Sequence, residues 1–447
     1  MDIKIPDHVE YILNKLKEKG FEAFIVGGCI RDILLNKTPG DFDVTTNALP
    51  EEIELVFNDK KTFDIGRTFG TIIVHVDDFD VEITTYRREE NYIDGRRPEW
   101  VEFVSSIEDD LSRRDFTINA MAYNRKSGLV DPFNGVEDIE RRVIRCVGNP
   151  EKRFQEDYLR ILRAIRFASV LDFKIEEDTF SAGKKNSVNV SKVSMERINK
   201  ELTKILLCDT PSKGIKLLEE MELIPIILPE FVPSIGFDQH NPHHDKDVFG
   251  HTLCVLDSTP ANLKLRLAAL FHDVGKPSCF SIDEKGIGHF YDHNKVGAKI
   301  SESALERLKY PKELSKNVSI LVREHMTHHS NFSDKGLKRL IRRVGLENIH
   351  ELFSLQKADR SCSNEDASID NINETEKRVI EILHNNEAYN IEQLCIDGHD
   401  LIEIGYEEGK IIGEILEYIL GRVIENPSLN TKAKLIEITL KKFPLNH

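Results

Sequence analysis

Asp41 and Asp43, in "GDFDVTT" (40–46), are two carboxylates one residue apart with no Lys or Arg between them. They repel each other unless a cation sits between them. If "FDVTT" opens a strand, side chains repeat every two residues and both carboxylates face one side. A pair of this kind suits a hard divalent cation such as Mg²⁺, which takes carboxylate and phosphate oxygens. Two such ions would activate an attacking hydroxyl and stabilise a leaving pyrophosphate. Upstream, Gly27 and Gly28 make a tight turn after a strand, where backbone N–H groups can approach a triphosphate. Arg31 is placed to clamp phosphate oxygens, and Asp32 to orient Arg31 or cap the following helix.

A second constellation lies in "EDYLRILRAIRF" (156–167), where Asp157, Arg160, Arg163 and Arg166 recur every three residues. On a helix they form a slowly winding polar stripe beside Leu159, Leu162 and Ile165. A carboxylate only accepts, so Asp157 demands an exocyclic amino group. A guanidinium only donates, so Arg160 demands a ring nitrogen or carbonyl. Cytosine and adenine meet both demands on one edge, whereas guanine and uracil meet neither. Each buried unpaired group costs about 1–3 kcal/mol, enough for strong discrimination.

The second half holds a third set. "LRLAALFHDVGKP" ends an apolar run on His272-Asp273, with His251 upstream and Asp359 downstream. Burying such a pair is costly unless something binds it, and the set resembles the HD metal-dependent phosphohydrolase motif. Imidazole with carboxylate suits Mn²⁺, Ni²⁺, Zn²⁺ or Fe²⁺. His293 and His325 are candidates for a second metal position, and metal-bound hydroxide would attack a phosphoester. His240, His243, His244, His328 and His329 carry no assigned role.

The elements that must position these groups change character along the chain. Residues 21–146 alternate short β-rich runs with helical ones: "EAFIVGG" is a strand into a glycine turn, and "GTIIVHVDDFDVEITTY" is two strands around an acidic turn. From about residue 150 the apolar spacing is helical almost to the end. "YRREENYIDGRRPEWVEF" (86–103) is polar and turn-rich and reads as a mobile loop. At 447 residues the chain needs several cores. No apolar run reaches membrane-spanning length, and the N-terminus reads as an amphipathic helix, not a leader peptide. Seven scattered cysteines with no CxxC pair read as thiols of a reducing compartment, hence a cytoplasmic location. The net charge of −16 weighs against a nucleic-acid partner. Arginine clusters between residues 87 and 166 supply a local exception.

"GGCIRD" followed by "GDFDVTT" resembles the signature of the nucleotidyltransferase superfamily, in the branch holding bacterial tRNA nucleotidyltransferases and poly(A) polymerases. "RRDFTINAMAYN" (113–124), "LVDPFNG" (129–135), "EDYLRILRAIRF" and "SMERINKELTKIL" (194–206) match further blocks of that branch in order. The resemblance implies an α+β multidomain chain: a nucleotidyltransferase α/β head with a mixed sheet and helices (1–146), then an all-α remainder. That remainder comprises a helical neck carrying the base template (147–210), an HD-type domain (211–370) and a tRNA-binding tail (371–447). It implies metal ligation by Asp41 and Asp43, base selection by Asp157 and Arg160, and nucleotide or phosphate contacts from Arg163, Arg166 and Arg114, with Asn119 in support. It further implies template-independent completion or repair of the 3′-terminal CCA of tRNA from CTP and ATP, with the acceptor stem as partner, no membrane, and a monomer or a dimer. Segment 86–103 favours addition of the terminal A, since members adding only CC lack much of it. An enzyme adding only A and a poly(A) polymerase are the alternatives; the HD segment disfavours the latter. A non-catalytic RNA-binding module is disfavoured because every carboxylate and arginine the chemistry needs is present.

Overall fold

The computed structural model describes residues 3–92, 98–240, 247–329, 332–363, 368–385 and 387–445. His243 and His244 lie outside them. The chain divides into two compact units, Met1–Pro229 and Glu230–His447. Among the described residues no helix is long and apolar enough to cross a membrane.

The first unit is built on β1 (Ala23–Val26), β2 (Asp43–Thr46), β3 (Lys61–Gly66), β4 (Thr71–Val76), β5 (Phe79–Thr85), β6 (Arg87–Tyr92), β7 (Pro98–Phe103), β8 (Ala122–Asn124) and β9 (Gly128–Val130). Seven of these form one mixed sheet in the order β3-β4-β5-β2-β1-β8-β9. β1, four apolar residues buried throughout, runs through its middle, as expected of a strand covered on both faces. β4 alternates half-buried and buried positions, the signature of one wet face. β2 and β5 pair in parallel, with Val44 opposite Ile83. Gly27 leaves β1 with φ +82 and starts the helix Gly28–Leu34; a Cβ there would lie 2.8 Å from Arg114 Nη1. The positive φ is what favours glycine at this position.

The segment 86–103 differs from its reading as a loop. Its two ends pair as the antiparallel hairpin β6–β7, Arg87 opposite Phe103. Polar residues hid the strands, because "RREENY" offers no apolar position every second residue.

Beyond residue 150 the first unit is helical. The helix Leu159–Val170 buries Leu159, Ile161, Leu162 and Ile165 and packs on Met195–Leu206 and Pro211–Glu220. The contact with the last is close: a Cβ on Gly214 would meet Ser169 Oγ at 2.7 Å. Asp157 is not on the stripe helix. It sits in extended backbone (φ −153, ψ 106) at the end of Pro150–Glu156, two residues before the next helix starts.

The second unit is almost wholly helical. Val248–Asp257, Leu263–Phe271, His293–Arg307, Lys312–Glu324 and Leu346–Ser361 pack around one core, beside a small hairpin of Phe280–Ile282 with Gly288–Phe290. Helices Gly398–Glu403, Lys410–Glu425 and Lys432–Lys442 enclose a separate cluster of Leu401, Ile415, Ile419, Val423 and Leu435. The expectation that all cysteines are thiols is corrected here. Cys254 and Cys362 form a disulfide between Val248–Asp257 and the C-terminal end of Leu346–Ser361, and the other five are free.

Candidate active sites of the two units

In the first unit, Asp41 and Asp43 line one cavity of about 580 Å³ with Asp80 and Glu82. Asp43 opens β2 and Asp41 precedes the strand. The parallel register that sets Val44 opposite Ile83 brings Asp43 beside Glu82 on β5. Burial, the Asp41 charge and the Glu82 charge push the Asp43 carboxyl up to about 6, against the pull of Arg114. An ionised cluster of carboxylates with so little compensation fits a divalent cation. Glu82 was not singled out from the sequence. Its signal was the alternation in "FDVEITT", which sets Asp80 and Glu82 on one face.

The glycine turn is surrounded by arginines. Arg114 lies against Gly27. Arg31 donates from Nε (2.9 Å) and Nη2 (2.7 Å) to Asp32 Oδ1, and from Nη1 to Asn119 Oδ1 at 2.7 Å. Asp32 therefore orients Arg31 and does not cap the helix. Asn119 Nδ2 donates to Asp115 Oδ1 (3.2 Å), and Asp115 Oδ2 accepts from Arg163 Nε at 2.8 Å. Asp115, also missed from sequence, is thus the anchor of a chain running from Arg31 to Arg163. Burial alone would raise its carboxyl, yet Arg163, Arg160 and the Asn119 amide hold it down at about 2. Arg166 stacks on the Phe167 ring at 3.9 Å and pairs through Nε with buried Glu201 at 2.9 Å. Arg31, Arg166, Phe167 and Lys204 line a second cavity of about 290 Å³.

The two base-reading candidates are held by different partners. Arg160 pairs with Glu156 and donates to the Arg153 carbonyl at 3.0 Å. Asp157 accepts both arms of Arg197, at 3.2 Å on Oδ1 and 2.6 Å on Oδ2, and the Leu159 N–H at 3.1 Å on Oδ1.

In the second unit all six expected ligands converge and nearly all are buried. His251 Nε2 lies 3.0 Å from Asp359 Oδ1, His272 Nε2 lies 3.2 Å from Asp273 Oδ2, and His293 Nε2 lies 3.4 Å from Asp273 Oδ1. His293 and His325 face each other Nε2 to Nε2 at 3.3 Å. The outer nitrogens fix the tautomers: Nδ1 of His272, His293 and His325 donates to the carbonyls of Ala269 (2.8 Å), Phe290 (2.7 Å) and Val322 (2.7 Å). Each Nε2 lone pair is thereby aimed inward, the usual arrangement around a metal. His251, His272 and Asp273 form one potential ligand group, and Asp273, His293 and His325 a second. Lys276, absent from the sequence reading, lies 2.7 Å from Asp273 Oδ2. Burial opposes charge on His272, Asp273, Asp359, His293 and His325, and the ion pairs outweigh it at the first three. His272 is raised by Asp273 and Asp359, Asp273 is held well below the carboxylate range by His272 and Lys276, and Asp359 is held low by His251 and His272. His325, buried beside His293 and His272, is pushed down to about 3 and stays neutral. A neutral imidazole is the form that ligates metal.

Three domain families match the chain. Residues 23–145 match the Poly A polymerase head domain, 172–234 the probable RNA and SrmB-binding site of polymerase A, and 249–364 the HD domain. A head of this kind and an HD domain both suggest dependence on a divalent metal. Among curated relatives, the CCA-adding enzyme of Ligilactobacillus salivarius is 49% identical over 222 residues, which are 49% of this chain and 54% of that protein. That of Pediococcus pentosaceus is 44% identical over 235 residues, 53% of this chain and 57% of that protein. The chain thus spans about half the length of the curated relatives it matches. The crystal structure of the Bacillus stearothermophilus CCA-adding enzyme in complex with CTP covers 98% of this chain and 99% of its own, with TM-score 0.72 and 27% identity. The Thermotoga maritima CCA-adding enzyme complexed with tRNA shares the fold at TM-score 0.62 and 21% identity, over 98% of this chain and 96% of its own.

Head sheet, acidic cavity and clustered histidines thus define a nucleotidyltransferase-type head joined to an HD domain. Residues 23–145 carry a head of the Poly A polymerase type and residues 249–364 an HD domain.

Proposed function

We propose that this chain completes or repairs the 3′-terminal CCA of tRNA by template-independent nucleotidyl transfer from CTP and ATP. The observation that carries the reading is the under-compensated cluster of Asp41, Asp43 and Glu82, within the unit that also holds Asp157 and Arg160. These three carboxylates are the residues that would hold Mg²⁺. When bound, Mg²⁺ lowers the pKa of the primer 3′-hydroxyl and offsets charge on the triphosphate. Arg31, kept in place by Asp32 and Asn119, has N–H donors left for phosphate oxygens. Asp157 accepts the exocyclic amino group of cytosine or adenine, and Arg160 donates to the neighbouring ring acceptor. The acceptor stem is gripped by shape and backbone, as structured RNA generally is. Its tail contacts come from the helices after residue 390. A tRNA substrate and free triphosphates set the reaction in the cytoplasm.

The test is extension of tRNA lacking CCA, tRNA ending in C and tRNA ending in CC, with each nucleoside triphosphate singly and in pairs. CTP with ATP should restore CCA on all three and then stop. A ladder of many A residues would instead identify a poly(A) polymerase. Extension of only the CC form would identify an A-adding enzyme. No extension at all would overturn the reading.

The second unit supports a further proposed activity, hydrolysis of a phosphoester. The inward Nε2 atoms of His251, His272, His293 and His325, with Asp273 and Asp359, make a nitrogen-rich donor set suited to Mn²⁺, Ni²⁺, Zn²⁺ or Fe²⁺. Release of phosphate or opening of a 2′,3′-cyclic phosphate, with each metal added singly, tests it. Inactivity with all four would overturn it.

A further inference from the structure

The helix Met195–Leu206 presents two charged side chains one turn apart, Arg197 and Glu201. Residues four apart share a face of a helix, and each of these two meets an opposite charge from the nucleotide side of the unit. Glu201 takes Arg166, and Arg197 takes Asp157. The second contact has the form of a fork. Nη1 and Nη2 donate to the two oxygens of one carboxylate, so both the position and the plane of that carboxylate are set.

An ionised carboxylate offers about four acceptor directions. On Asp157 three are occupied. Oδ1 receives Leu159 N–H and Arg197 Nη1, and Oδ2 receives Arg197 Nη2. One direction on Oδ2 remains for an incoming donor. Asp157 itself has little means of holding that direction. It stands in extended backbone between two helices, where its local restraint is the Leu159 N–H on Oδ1.

We infer that Arg197 is the positioning residue that sets nucleotide selectivity, by fixing which lone pair of Asp157 faces the base. This deepens the proposed function and rests on it. Without the fork, Asp157 can turn other lone pairs to the pocket or swing aside. A base presenting a carbonyl where the amino group belongs then meets a weaker penalty. Arg160 has its own holder in Glu156, so loss of Arg197 unlocks one half of the base-reading pair and leaves the other in place.

The test uses the full chain with Mg²⁺, tRNA ending in C for the CTP–UTP comparison and tRNA ending in CC for the ATP–GTP comparison. Arg197→Lys keeps the charge and loses the fork. Arg197→Met loses both and keeps the apolar stem. In each, kcat/KM for CTP over UTP and for ATP over GTP should fall by roughly tenfold or more, the range of a hydrogen bond to a charged group. Most of that change should come from a raised KM for the correct nucleotide and a lowered one for the wrong nucleotide. Combined with Asp157→Ala, either change should add no further loss of selectivity. A purely structural role would lower all four nucleotides alike and leave the ratios intact; ratios within twofold of wild type, or collapse of the fold in both variants, would overturn the inference. Wild-type chain that extends no tRNA would overturn the proposed function instead, so the two failures are separate.

Discussion

Replacing Asp43 with asparagine should stabilise the metal-free protein while abolishing nucleotide addition. The Asp43 carboxyl is raised from its ordinary 3.8 to about 6, first by burial and then by Asp41 and Glu82. Ionising it in the folded chain is therefore harder than in the unfolded chain by about 3 kcal/mol at most. Because the folded value is the higher one, its contribution to stability is fully present below pH 3.8 and is lost as pH rises through 6. Asparagine is neutral throughout, so its advantage is nil near pH 3.5, grows between the two values and is complete above pH 6. Allowing for partial solvent screening, a gain of about 2 kcal/mol is expected at pH 8. In a unit of this size that raises the melting temperature by about 4–8 °C. The assay is thermal denaturation of both proteins in EDTA at pH 8 and pH 4, repeated with Mg²⁺, which should stabilise the wild type more than the variant. An Asp43→Asn variant that melts at or below wild type at pH 8 without metal, or that gains equally at pH 4, would refute the electrostatic argument.

Glu82→Gln should lower single-turnover addition of CTP and ATP alike by roughly a hundredfold, with nucleotide selectivity retained, as expected of a group that helps hold metal. His272→Ala should abolish transition-metal retention after dialysis, read by elemental analysis, while CCA addition stays at the wild-type rate. Metal affinity at that site should rise with pH, since His272 is raised by Asp273 and Asp359 and must lose its proton to ligate; titration of Mn²⁺ at pH 6 and pH 8 reads this. Alkylation of the denatured, unreduced chain should label five cysteines, and seven after reduction. Breaking the link between Cys254 and Cys362 should cost the second unit up to about 4–5 kcal/mol, read from its urea midpoint.

What could be read from sequence was the chemistry that sits close together along the chain. The turn from β1 into Gly28–Leu34 and the pair Asp41–Asp43 are local, and the strand and helix spacings around them are strong. His272-Asp273 at the end of an apolar helix was equally plain, and the other four ligands followed from their order. The residues that were missed join the sites across large sequence distances. Glu82 comes to Asp43 through a parallel strand pairing that no local pattern encodes. Asp115 and Arg197 matter only because helices bring them to Arg163 and Asp157. Three-residue spacing continues through Asp157 and predicts it on the helical stripe. The chain breaks the helix there, and the extended joint leaves its carboxylate to be held from another helix.

The two units solve the problem of concentrated charge in opposite ways. In the first, burial and the like charges of Asp41 and Glu82 outweigh the pull of Arg114 on Asp43, so the cluster is strained toward protonation until a cation arrives. Oxygen-only sites bind Mg²⁺ modestly and share it with substrate phosphates, which suits an ion that enters and leaves with each triphosphate. In the second, imidazoles and Lys276 already neutralise Asp273 and Asp359, and the outer nitrogens of three histidines are pinned to backbone carbonyls. That site keeps its shape unaided, and its nitrogen donors favour transition metals over Mg²⁺. Under the proposed function the two sites would therefore not compete for one ion: the oxygen-only cluster would suit Mg²⁺ and the histidine-rich set a transition metal.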